Sequence, residues 1–85
     1  MPHLSSNIPQ SIFYSALVGE FLRIARSTLR LSDFIPKAKS LVERMKRQGA
    51  DNRISRRFLR KIILNHPENF SQFQASPEDI IESLF

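Results

Sequence analysis

Eighty-five residues make one small domain at most, and a chain of this length buries only about 60–65% of its unfolded surface, so its core is marginal. Hydrophobic residues are 41% and charged residues 25%, the composition of a globular chain rather than a disordered one. Cysteine is absent, which excludes a disulfide framework and a thiolate metal site. No apolar run approaches the roughly 20 residues that span a bilayer.

The opening Met1-Pro2-His3-Leu4 lacks the basic start of a signal peptide, and the expected location is intracellular, the nucleus included. The net charge of +5 hides a sharper pattern. All 13 Lys and Arg fall between Arg23 and Lys61, against only three acids in that stretch, Asp33, Glu43 and Asp51. Glu68, Glu78, Asp79 and Glu82 follow it, so a basic middle is joined to an acidic tail. A basic block of this size points to nucleic acid or an anionic membrane surface; the bland alternative is a solvated basic face with no partner.

Apolar residues recur at three and four, the helical spacing, and nothing alternates with period two for long. The expected fold is all-α, a small helix-turn-helix-like bundle of three helices plus a short C-terminal helix. Residues 1–85 are read as one domain, with a core over about 9–64, a loop over 65–75 and a short helix over 76–85. The first helix is predicted over Pro9–Ser27, with proline in the opening turn and Phe13, Leu17, Phe21 and Ile24 on one side with Ala16 beside them. Gly19 weakens it, or permits a close helix crossing.

Ser32 and Asp33 are expected to open the second helix as cap and acidic first turn. Phe34, Ala38, Leu41, Val42 and Met45 form its apolar stripe, Pro36 is placed in or near the first turn, and Gly49 is expected as a left-handed stop.

Asp51 or Asn52 caps a third helix to about Leu64. With Ile54 at 0° and about 100° per residue, Phe58, Ile62, Leu59 and Ile63 fall at about 40° to 180°. Arg56, Arg60, Arg53, Arg57 and Lys61 fall at about 200° to 340°. One side is thus predicted to face the core through Ile54, Phe58 and Ile62, and the other to project five cations. Only Leu64 is misplaced. Asn65-His66-Pro67 ends this helix, and the loop after it carries Phe70 and Phe73, expected to fold back on the core. Ser76-Pro77-Glu78-Asp79 is a strong helix start. The short helix it opens carries Ile80, Ile81, Leu84 and Phe85 and must pack on the rest or on another chain.

Catalytic chemistry finds little support. His3 and His66 are isolated and no ligand cluster accompanies them, so no metal or cofactor is expected. No nucleophile–base–orienter set can be assembled, and with glycine only at 19 and 49 there is no glycine-rich phosphate loop. The chain is read as non-catalytic.

The candidate site is therefore nucleic-acid binding, through Arg53, Arg56, Arg57, Arg60 and Lys61. Arginine presents a planar fork of N–H groups suited to phosphate oxygens or a guanine edge. Reading bases usually takes short polar side chains near a helix start. Asn52 and Ser55 are available for that, but the arginines look like phosphate grips, which position a protein without conveying sequence. A membrane role is disfavoured because the apolar arc is needed for the core.

Two stretches, "NIPQSIFYSALVGEFLRIARST" and "DFIPKAKSLVERMKRQGADNRISRRFLRKI", resemble the helical thumb-side, helix-turn-helix segment of retroelement reverse transcriptases of the non-LTR or Penelope-like kind. The shared features are an Ile-Pro-x-Ser opening (Ile8-Pro9-Gln10-Ser11), spaced arginines (Arg23, Arg26), a phenylalanine opening the next helix (Phe34), and a basic residue before a glycine turn (Arg47-Gln48-Gly49). Members often continue Gly-Tyr-Pro, where this chain has Gly49-Ala50-Asp51. The resemblance spans roughly residues 7–65. It implies a module that holds DNA, RNA or RNA–DNA hybrid by its backbone, as a piece of a polymerase whose paired aspartates belong to a separate palm. The alternatives are a stand-alone helix-turn-helix DNA-binding regulator and a protein-interaction module docking through Ile80, Ile81, Leu84 and Phe85.

Overall fold

A computed structural model describes residues 10–85, with side chains from Ile12 onward. Pro9 and the Ile8-Pro9 opening lie outside the described residues. The chain runs α1 (Gln10–Arg26), α2 (Leu31–Arg47), α3 (Asn52–Asn65), two single 3-10 turns (Pro67–Asn69 and Ser71–Phe73) and α4 (Pro77–Leu84). No strand occurs among the described residues, and all four helices contribute to one apolar core.

In α1, Leu17, Phe21 and Ala25 are buried at successive four-residue steps, one stripe of an ideal helix. Phe13 and Ile24 are only half-buried and Ala16 is exposed, so the inward face is turned from the expected one. Gly19 is exposed and a Cβ there would meet nothing within 4 Å, so it serves no close crossing. The end of α1 is closed from far away in sequence. Gln72 Nε2 donates to the carbonyls of Ala25 (2.7 Å) and Thr28 (3.1 Å), satisfying acceptors that a helix end leaves open.

The α2 stripe, Phe34, Ala38, Leu41, Val42 and Met45, is buried as its spacing requires. Its start differs from expectation. The helix begins at Leu31, Arg30 occupies the N-cap position and no side chain caps it. Ser32 is thus inside the helix, and Asp33 sits in the first turn, where its charge faces the positive helix end. Pro36 is the sixth helical residue, beyond the first turn. Proline carries no N–H, so the Ser32 carbonyl loses its partner four residues on.

The turn into α3 is fully specified. Gly49 N donates to Lys46 O and Ala50 N to Met45 O, both at 2.9 Å, the paired bonds of a Schellman stop. Gly49 takes φ +97°, which a side chain would strain. Ala50 and Met45 are both buried, the apolar contact that accompanies this motif. Asp51 then caps α3, its carboxylate accepting from Ile54 N at 2.9 Å; of the two expected caps, it is Asp51 rather than Asn52.

Residues 66–75 are more ordered than the expected loop. The two 3-10 turns carry Phe70 and Phe73 into the core beside Phe21 and Phe34, with ring centroids 4.9 to 6.3 Å apart, the range of favourable aromatic pairing. Gln74 in the left-handed region (φ 51°) ends the second turn. In α4, Ser76 Oγ accepts from Asp79 N at 3.1 Å and Pro77 occupies the first turn, as expected. Ile80, Ile81 and Leu84 are buried against the other helices. Phe85, the fourth residue of the expected docking patch, is only partly buried.

Candidate nucleic-acid interface

The inward face of α3 consists of Ser55, Leu59, Ile62 and Ile63. On the angular scale above these centre near about 125°, some 35° from the middle of the apolar arc read from sequence. The helix is rolled toward Ile63 because α4 packs on that side. Ile54 is therefore 49% exposed, not core, and Phe58 is half-buried, its ring edge-on to Tyr14 of α1 at 4.9 Å. Leu64 is 51% exposed. Ser55 is fully buried and its hydroxyl has no hydrogen-bond partner. It cannot reach a base edge, which removes one of the two residues available for sequence reading; Asn52 remains exposed.

The same roll splits the five cations into two rows. Arg56 and Arg60, nearest the buried arc, are drawn against α4. Arg56 donates to both carboxylate oxygens of Glu82, at 2.5 and 3.2 Å, and its guanidinium lies over the Phe85 ring, 5.2 Å from the centroid. Arg60 Nε donates to Glu78 at 2.8 Å. The pairing is antiparallel, the earlier arginine meeting the later glutamate, and both pairs are spaced by four residues. That shared spacing was visible in the sequence; which helices would lie side by side was not.

Arg53, Arg57 and Lys61 form the second row, again at four-residue steps, about 6 Å apart along the axis. All three are exposed, and among the described residues none has a carboxylate within salt-bridge distance. The two rows meet at a groove between α3 and α4, about 280 Å³ in volume, lined by Arg53, Arg56, Arg57 and Arg60 on one side and Glu78, Ile81 and Glu82 on the other.

The Arg56 hydrogen bonds hold the Glu82 carboxyl below the ordinary glutamate range, with the guanidinium charge acting in the same direction. Glu82 in turn raises the already high pKa of Arg56. Both paired arginines remain accessible, with side chains 40% (Arg56) and 53% (Arg60) exposed. Elsewhere Arg44 is bound to Glu20 at 2.7 Å, joining α2 to α1.

Among the described residues no group of three His, Asp or Glu side chains is placed to hold a metal ion, and no helix is long and apolar enough to cross a membrane. Comparison with protein-family models, with curated proteins and with solved structures finds no match to this chain.

Proposed function

We propose that the protein is a non-catalytic helical module that grips the phosphate backbone of duplex nucleic acid through α3. The observation that carries this reading is the row Arg53, Arg57 and Lys61. Three exposed cations stand on one helix with no carboxylate partner among the described residues, and the opposite face of that helix is locked into the core by Leu59, Ile62 and Ile63. Like charges four residues apart repel on an isolated helix, and a polyanion relieves that repulsion. The burial of Ser55 favours grip over base reading. The resemblance to the thumb-side region of retroelement reverse transcriptases fits the same role, with the polymerase chemistry assigned to a palm and none to this module.

The test is binding of a short mixed-sequence DNA duplex, and of the matching RNA–DNA hybrid, followed by fluorescence anisotropy across a salt series. Three phosphate contacts predict a log–log slope of about −2.7 on B-DNA. The R53Q/R57Q/K61Q variant is expected to lose most of that slope. No binding at low salt, or an unchanged slope in the triple variant, overturns the proposal. A flat profile in a selection from randomised duplexes is the expected result, and a single preferred site would restore the regulator reading.

A further inference from the structure

We propose that helix α4 is a built-in competitor for nucleic acid, with Glu78 and Glu82 occupying on Arg60 and Arg56 the positions that backbone phosphates take in the bound state. The inference rests on the phosphate-binding reading above and extends it to the two arginines that the fold has already partnered.

A carboxylate on the edge of a guanidinium uses the same forked donor geometry that a phosphate uses. Arg56 shows it in full, with two nitrogens on two oxygens, and its guanidinium also lies over the Phe85 ring. Both glutamates are well exposed, 65% for Glu82 and 60% for Glu78, so both pairs are open to solvent. Solvent-exposed ion pairs are weak and screened by salt, so removing the two carboxylates costs the fold little. Their loss also leaves α4 in place, because its hold on the core is Ile80, Ile81 and Leu84 rather than its acids. With the carboxylates gone, the four arginines of the α3–α4 groove act together. In the resting protein, half of them are self-neutralised, which lowers affinity and salt sensitivity.

The experiment compares three full-length proteins on the same DNA duplex. They are the wild type, E78Q/E82Q, and E68Q/D79N as a control that removes two acids with no ion pair among the described residues. Glutamine keeps an acceptor for each arginine but not the charge, and circular dichroism checks that each variant is folded. Freeing two more phosphate contacts steepens the slope by about 1.8, from about −2.7 to about −4.5. Between about 50 and 200 mM salt the affinity of E78Q/E82Q should therefore fall about 12-fold more than that of the wild type. The control, with the same net charge, should keep the wild-type slope.

Equal slopes in wild type and E78Q/E82Q overturn the competitor, and so does an equal steepening in the control, which would reflect net charge alone. If the wild type fails to bind at low salt and only E78Q/E82Q binds, the phosphate-binding reading of the wild type falls, and with it the inference that rests on it. If neither binds, both this inference and the phosphate-binding reading fall.

Discussion

Replacing Ser55 with alanine should make the protein more stable. Ser55 lies in the middle of the α3 inward face with no exposed surface and with its hydroxyl unpartnered. A buried hydroxyl without a hydrogen bond costs about 1–3 kcal/mol by mutational measures. Serine is also a poorer helix former than alanine, by about 0.5 kcal/mol. Against this, alanine forfeits the dispersion contacts of one oxygen, a few pairs at about 0.1–0.2 kcal/mol each. The balance favours S55A by at least about 1 kcal/mol, and for a domain of this size each kcal/mol raises Tm by about 4–8 °C. Thermal and urea unfolding followed by helical circular dichroism measures it. A lower Tm for S55A would refute the reasoning, since it would mean the hydroxyl is hydrogen-bonded, most simply to the carbonyl of Asp51 one turn back. Duplex binding gives a second check. Ser55 sits behind the cationic rows, so S55A should bind as the wild type does.

The two glycines should respond with opposite sign. G19A, in an exposed helix interior with open space for the Cβ, should gain about 1 kcal/mol, whereas G49A, at φ +97° in the α2–α3 turn, should lose about 1 kcal/mol or more; urea midpoints decide both. For pH, Glu82 is a group whose folded pKa is depressed by Arg56. Its contribution to stability is fully present above the ordinary glutamate pKa and is lost as pH falls through the lower folded value. An NMR titration of the Glu82 carboxyl should give a value below that of an unpaired glutamate, and R56Q should bring it back up. A Glu82 titration unmoved by R56Q would show that the pair does not persist in solution.

Much of this fold is local and was therefore legible in the sequence. The α2 stripe, the Gly49 stop, the Asp51 cap and the Ser76-Pro77 start each depend on residues within a turn or two of one another, where helical periodicity and capping chemistry suffice. The expectation that Phe70 and Phe73 return to the core also held, because two phenylalanines in a polar stretch have few other places to go. What the sequence did not show includes a distant partner, since Gln72 closes the end of α1 from more than 40 residues away. At the α2 start, Arg30 rather than Ser32 stands at the N-cap, with no side chain capping it.

The sequence by itself established an all-helical chain with a basic third helix followed by an acidic tail. It could not tell which of the five cations on that helix were already spoken for. An angular wheel places side chains relative to their own axis, but the orientation of that axis in the bundle is set by packing against other helices. Docking α4 on the Ile63 side rolled α3 by a few tens of degrees and brought Ile54 to the surface. The same roll set Arg56 and Arg60 against Glu82 and Glu78 and left Arg53, Arg57 and Lys61 facing water.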